Sequence, residues 1–95
     1  MIIVNLSIRG LRERTKANYI RQIIAKEGAN LLYLQEVKAY ALSDSKCFSL
    51  WGDTKVGWIH NEGKSGAGST LIMWLKDAFC YERHMVGRGY ITIFG

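Results

Sequence analysis

A strand, a helix and a second strand follow one another in the first part of this chain, and this order constrains its fold most. Residues 2–8 carry an apolar side chain at every second position, which is the period of a half-buried strand. Residues 12–27 place apolar side chains at helical spacing and are followed by Gly28, a common helix stop. Residues 31–35 form a continuous apolar run, which suits a strand buried on both faces. The pattern predicts a right-handed parallel crossover, so both strands end at the same edge of the sheet, where ligands bind in open α/β folds.

The second half of the chain predicts short antiparallel strands. Such strands are expected at about 56–60, 70–75, 79–86 and 90–94, with a loop at 61–68 and a turn at 87–89. Residues 37–54 show no clear period and predict no element. The expected fold class is therefore α/β, with a mixed sheet that begins with one βαβ unit and continues with antiparallel strands.

The basic charge is concentrated near the start of the chain. The net charge is +5, and residues 1–40 hold seven basic and three acidic side chains. This excess fits either a solvated helix or a surface that binds a polyanion such as nucleic acid. In the second interpretation, the candidate nucleic-acid contacts are Arg9, Arg12, Arg14, Lys16 and Arg21.

Composition also bounds the cellular setting. Two widely separated cysteines favour a reducing compartment, and residues 2–8 resemble a strand rather than a signal peptide. No apolar run approaches the roughly 18 residues of a membrane span. We therefore expect an intracellular protein, nuclear or cytoplasmic and not secreted, without a membrane partner.

Glu36 is the residue that most suggests chemistry. It ends the apolar run of residues 31–35, and a carboxylate at the tip of a buried strand is costly unless something compensates its charge. A divalent cation is one such compensation, and Mg²⁺ prefers one or two carboxylates together with phosphate oxygens and waters. The alternative is an ordinary solvent-facing residue at a strand end.

Other residues that suggest chemistry fit structural roles better. His60 and His84 have no carboxylate, Cys or second His at metal-ligand spacing, which favours packing or surface positions. The three tryptophans favour core positions over base stacking. The Gly63–Ser65 segment lacks the glycine spacing of a phosphate-binding loop and precedes a strand instead of a helix.

Three segments of the chain resemble the endonuclease domain of plant LINE-type non-LTR retrotransposons, a branch of the endonuclease/exonuclease/phosphatase superfamily. Residues 6–11, Leu-Ser-Ile-Arg-Gly-Leu, are similar to the family's opening Trp-Asn-Val-Arg-Gly-Leu. Residues 34–38, Leu-Gln-Glu-Val-Lys, resemble its Leu-Gln-Glu-Thr-Lys. Residues 50–58 and 66–74 resemble its Leu-Trp-Gly, Val-Gly-Trp and Gly-Gly-Ile-Leu-Val-Met-Trp stretch. The likeness covers nearly the whole chain in the family's order; other branches, such as abasic-site endonucleases and phosphoinositide phosphatases, stay open.

The resemblance implies a four-layer α/β sandwich that cleaves DNA phosphodiesters with Mg²⁺ or Mn²⁺. Glu36 occupies the position of the family's metal-binding glutamate. The family's opening asparagine helps to hold the metal or the scissile phosphate, and Ser7 stands in its place here. Asn5 lies one pleat earlier on the same strand face. Ser7 and Asn5 are therefore the candidates for a second contact to metal or phosphate.

Two later segments of the family, Asp-x-Asn and Ser-Asp-His, have no counterpart among these 95 residues. Residues 1–95 are therefore expected to be the N-terminal part of one such domain, truncated at its C-terminus and inactive alone. A non-catalytic basic nucleic-acid-binding module and a non-functional gene remnant are the alternatives. Half a sandwich is also expected to expose a sheet face that includes Trp58, Ile72 and Trp74, and to self-associate through it.

Overall fold

The computed structural model describes residues 1–7, 14–35, 42–61, 69–87 and 90–95, which contain two helices and six strands. In chain order these are β1 (Ile3–Ser7), α1 (Arg14–Glu27), β2 (Leu31–Gln35), α2 (Asp44–Trp51), β3 (Val56–Asn61), β4 (Thr70–Leu75), β5 (Arg83–Gly87) and β6 (Tyr90–Phe94). The first four strands form one sheet in the order β1-β2-β4-β3, and β5 and β6 form a separate hairpin.

The pairing of the strands confirms the predicted α/β class. β1 runs parallel to β2, with Ile3 opposite Leu31 and Ser7 opposite Gln35, and α1 connects them. β4 lies antiparallel to both β2 and β3. The sheet is therefore mixed, with one early βαβ unit followed by antiparallel strands. The other layers of a four-layer sandwich stay a prediction.

The larger core lies between the helices and one face of the sheet. α1 contributes Ile20 and Ile24 of the predicted apolar stripe, and Ala17 packs at its margin. Val4 and Leu6 of β1 also pack against this core, as their alternation predicts. Each fully buried aliphatic side chain contributes about 1.5–3 kcal/mol relative to exposure. The remaining buried members are Ala29, Leu32, Leu34, Cys47, Leu50, Trp51, Val56, Leu71 and Met73.

Helix α2 lies where the sequence predicted no element. It has eight residues, too few turns to display a clear apolar period. Its ends carry the signals instead. The Ser43 side chain accepts a hydrogen bond from the backbone N–H of Lys46 at 3.3 Å, which is an N-cap. Gly52, at φ 86°, closes the other end by donating its N–H to the Phe48 carbonyl at 2.7 Å.

The β5–β6 hairpin covers the central part of the second face of the sheet. Ile91 packs there against Leu31, Ile72 and Trp74. Ile72 is 1% exposed and Trp74 5% exposed, and Trp58 is half-buried on the helix side. The expectation that Trp58, Ile72 and Trp74 form an exposed sheet face is wrong, because the hairpin covers Ile72 and Trp74 while Trp58 packs against the core on the helix side. Self-association stays a prediction, but the surface that was expected to mediate it is not exposed.

The remaining expectations are met in part. Trp51 and Trp74 are buried, which confirms their core positions. The strand expected at 79–86 begins only at Arg83. Among the residues described, neither helix has the length and apolar character needed to cross a membrane.

Candidate functional site

Four polar residues form one row across the sheet at the end where β1 and β2 finish. The strand register places Ser7 opposite Gln35, Gln35 opposite Thr70, and Thr70 opposite Asn61. β3 also ends at this row, and β4 begins there. Across three interstrand spacings the row is about 14 Å long. We call these four residues the polar row.

The rest of the same sheet face is mainly apolar. Every second residue of a strand lies on the same face, so the register defines two further rows beside the polar row. These rows consist of Asn5, Tyr33, Ile72 and Ile59, and of Ile3, Leu31, Trp74 and Gly57. The hairpin packs on their central part, which leaves the polar row at the limit of the covered surface.

The polar row is most accessible on β1 and β2. Ser7 and Gln35 are exposed, Asn61 is half-buried and Thr70 is 4% exposed. The Gln35 Nε2 donates to the Asn5 Oδ1 at 3.2 Å, which links the row to its exposed neighbour on β1. Amide and hydroxyl groups both donate and accept hydrogen bonds. This surface can therefore contact anionic or metal-bound oxygens.

A histidine and a serine are hydrogen-bonded on the opposite face at the same end of the sheet. His60 Nε2 lies 2.9 Å from Ser69 Oγ, and Ser69 is 4% exposed. His84 instead lies exposed on the hairpin, where its Nδ1 is 2.7 Å from the Tyr81 hydroxyl. His60 therefore belongs to the polar end of the sheet, and His84 belongs to the hairpin surface.

The predicted metal and phosphate residues are only partly placed. The structure brings Asn5 and Ser7 together with Gln35 on one face. Glu36 follows Gln35 directly in the sequence and lies outside the described residues. Among the residues that the structure does describe, no group of three or more His, Cys, Asp or Glu side chains is arranged to hold a metal ion.

Of the predicted basic nucleic-acid contacts, the structure describes the side chains of two, Lys16 and Arg21. Arg9 and Arg12 lie outside the described residues, and so does the side chain of Arg14, which begins α1. Lys16 and Arg21 are five residues apart on α1, so they point about 140° apart around the helix axis. Arg21 is exposed and donates to the Asn18 side chain. Because α1 packs on the helix side of the sheet, these two cations do not lie on the face of the polar row.

Four of these polar residues were not predicted from the sequence: Gln35, Asn61, Ser69 and Thr70. His60 was predicted to occupy a packing or surface position. Each of these residues lies at or next to the end of a strand, and such positions are commonly polar. Their shared location depends on the antiparallel register of β4 with β2 and β3. The strands can be predicted from the sequence, but their register cannot.

The thiol of Cys47 in α2, away from the polar row, has a shifted pKa. Burial, and then the nearby Asp44 carboxylate, raises the pKa of the Cys47 thiol from 9.0 to about 12. Cys47 belongs to the core on the helix side, and a thiol that keeps its proton is a poor nucleophile and metal ligand. Cys47 is therefore a core residue.

No protein-family model, curated protein or solved structure matches the chain. The family resemblance therefore depends on the residues quoted for it.

Proposed function

We propose that this chain is part of a Mg²⁺-dependent phosphodiesterase domain that acts on DNA, with Glu36 as a ligand of the metal. One observation carries the proposal: β1 and β2 pair in parallel, so that Ser7 lies opposite Gln35, the residue directly before Glu36. The family resemblance assigns metal or phosphate contacts to these same two strand ends.

The chemistry of the nearby donors fits a hard cation. Asn5 and Ser7 offer neutral oxygens on β1, and Glu36 adds a carboxylate. Mg²⁺ and Mn²⁺ prefer such oxygen ligands, whereas zinc favours thiolates and imidazoles. A bound divalent cation would supply Lewis-acid stabilisation of the charge on a phosphodiester. Asn5 and Ser7 would orient phosphate oxygens or water by hydrogen bonds.

We expect the 95-residue chain to bind DNA without cleaving it. The family segments that supply a general base and a phosphate-contacting histidine have no counterpart in this sequence. Each such group typically contributes about a hundredfold or more in rate. Loss of several would leave little activity above the uncatalysed reaction.

The test of metal binding is a Mn²⁺ titration followed by electron paramagnetic resonance. Glu36→Gln removes the proposed ligand, and Glu27→Gln removes an exposed carboxylate of α1 with the same change in charge. We expect the wild-type chain and Glu27→Gln to bind Mn²⁺ alike and Glu36→Gln to bind about tenfold more weakly or worse. Equal binding by all three proteins would contradict the proposed role of Glu36.

A plasmid-nicking assay tests the activity. Supercoiled plasmid with Mg²⁺ and the purified chain should stay intact. Nicking by the wild-type chain that disappears in Glu36→Gln would show that the 95 residues already contain a working site, and the expectation of inactivity would be wrong.

A basic nucleic-acid-binding module is the second candidate function. The concentration of positive charge in residues 1–40 favours it. Such a module would bind DNA with a strong dependence on salt and with no dependence on Glu36 or on a divalent cation. The Mn²⁺ titration therefore distinguishes the two candidates.

A further inference from the structure

We infer that the open edge of β1 pairs with β1 of a second copy of this chain, antiparallel and around a two-fold axis at Ile3. The pairing joins the four-stranded sheets of both copies into one continuous sheet. Residues 1–5 of each copy form the contact, and Ser7 and Gln35 lie beyond it. The inference therefore does not depend on the proposed function.

The first argument is the set of backbone groups that β1 directs away from the sheet. The Ile2 carbonyl faces β2, where it accepts from the backbone N–H of Leu31 at 3.2 Å. Successive residues of a strand direct their backbone groups to opposite sides, so those of Ile3, Asn5 and Ser7 face outward. Among the strands that the structure describes, β1 is paired with β2 alone. Its outward groups therefore offer hydrogen bonds to a further strand.

The second argument is the exposure of apolar side chains along this edge. Met1 is 67% exposed, Ile2 48% and Ile3 62%. Ile3 ends a row that continues through Leu31 and Trp74, which are each 5% exposed. When Ile3 lies opposite Ile3 of the second copy, the rows of both copies become continuous. The exposed side chains at the edge are then covered, which is favourable.

The third argument is the lack of features that protect an edge strand. Natural edge strands avoid pairing through charged side chains, proline or bulges. Residues 1–7 contain no charged side chain and no proline, although the chain carries a net charge of +5. β3, at the other end of the sheet order, is buried or half-buried at every position. β1 is therefore the end strand that is suited to pairing.

Symmetry and charge favour an antiparallel pair of identical strands. A two-fold axis matches the outward N–H and C=O groups of one copy with those of the other. Each Ser7 lies four residues from the axis, so the two Ser7 residues are about 26 Å apart. The basic part of the sequence follows Ser7 and continues from opposite ends of the pair, which exceeds the screening length of about 8 Å. A parallel pair would start both basic segments from the same end.

The contact is small, so the dimer should be weak. Only residues 1–5 of each copy pair, whereas a standard stable interface contains about 20–30 residues a side. We expect a dissociation constant above about 1 µM. Sedimentation equilibrium of the chain at about 5 to 500 µM should therefore show a reversible transition from monomer to dimer.

Two variants with the same change in charge locate the surface. Ile3→Lys places two like charges directly opposite each other at the axis, so it should weaken dimerisation by about tenfold or more. Tyr19→Lys replaces an exposed aromatic side chain of α1 and should dimerise like the wild type. Thermal melts establish that both variants are folded.

Disulfide cross-linking tests the register. Opposite Cα atoms in an antiparallel pair lie about 5.5 Å apart, which suits a disulfide. In a Cys80→Ser background, which removes the exposed native thiol, Ile3→Cys should therefore form a covalent dimer on mild oxidation. Ser7→Cys is the matched control, because it is exposed on the same face of the same strand and should not cross-link at a comparable rate.

A chain that stays monomeric up to about 500 µM would overturn the inference and leave this edge to a segment of another protein. Dimerisation of Ile3→Lys with the wild-type affinity would also overturn it. So would cross-linking of Ser7→Cys as fast as that of Ile3→Cys, because the strands would then pair in a different register. The Mn²⁺ titration tests the proposed function separately from all three results.

Discussion

Gly57 is the position at which one methyl group should cost the most stability. It lies in β3 opposite Trp74 of β4, and the indole ring lies across it. A Cβ atom at residue 57 would lie 2.6 Å from the indole Nε1 and closer still to Cε2 and Cζ2. Nonbonded carbon atoms prefer about 3.5–4.0 Å, so Gly57→Ala requires the ring or the strand to move by about 1 Å.

The surroundings of the indole leave little room for that movement. Trp74 is 5% exposed; its ring stacks on Tyr81 at 5.2 Å and meets the edge of Phe79 at 6.0 Å. Overpacking of this kind costs about 1–3 kcal/mol, and each disturbed aromatic pair is worth about 0.5–1.5 kcal/mol. The lower backbone entropy of alanine in the unfolded chain returns about 0.5–1 kcal/mol. We expect a net loss of about 2 kcal/mol, which for a domain of this size lowers Tm by about 8–16 °C.

Urea and thermal unfolding, followed by circular dichroism, measure this loss. The near-ultraviolet spectrum should also change, because it reports the environment of the displaced indole. Gly52→Ala is the matched control: its φ of 86° disfavours alanine, but a Cβ there meets no atom within 4 Å. It should cost about 1 kcal/mol without a change in the near-ultraviolet spectrum.

A double variant tests the steric explanation. In a Trp74→Leu background the methyl group that Gly57→Ala adds has no ring to displace, so the added cost of this substitution should largely disappear. The steric explanation is refuted if Gly57→Ala unfolds at the wild-type midpoint with an unchanged near-ultraviolet spectrum. It is also refuted if the cost persists in full when Trp74 is absent.

Three further predictions concern the two cysteines and the hydrogen bond between β3 and α2. Because the pKa of Cys47 is about 12 in the folded chain, the unfolded chain loses this proton first as the pH rises above 9.0, so stability should fall between these values. The urea midpoint should therefore decline more steeply over that pH range in the wild type than in Cys47→Ala, and equal declines would contradict the pKa shift. At neutral pH, iodoacetamide should modify exposed Cys80 and leave Cys47 intact until the chain is denatured. The Trp58 indole N–H donates to the Asp44 carboxylate at 2.7 Å and ties β3 to α2, so Trp58→Phe should lower the free energy of unfolding by about 1 kcal/mol. An unchanged urea midpoint in Trp58→Phe would show that water replaces this bond without cost.

The apolar patterns of β1 and β2 predicted how many faces of each strand are covered. β2 and β4 read as continuous apolar runs, and they are the two central strands, each packed on both faces. β1 alternates and lies at one end of the sheet order, with its odd-numbered residues exposed. A strand covered on both faces needs apolar side chains at successive positions, whereas an end strand with one covered face needs them only at alternate ones.

Two features of the fold were not predicted from the sequence, and the physical reasons differ. The expected exposure of Ile72 and Trp74 was wrong because a hairpin about 20 residues later covers them. A local sequence pattern does not indicate which surface a hairpin will cover. Helix α2 is short and is defined by Ser43 and Gly52 at its ends more than by its interior. The strands of the hairpin were thus predicted but not the surface that they cover, whereas helix α2 was not predicted at all.

The residues of the candidate site also differ in how far they could be predicted from the sequence. Ser7 could be selected from the sequence because it stands in the place of the opening asparagine of the family that the chain resembles, and Asn5 because it lies one pleat earlier on the same strand face. Gln35 could not, because a glutamine before a glutamate at a strand end has no distinguishing pattern by itself. Its position in the polar row is defined only by the strand register, which places it between Ser7 and Thr70. β4 contributes buried residues to the centre of the sheet and Thr70 to the polar row. The strand that stabilises the fold therefore also determines which side chains meet at this end of the sheet.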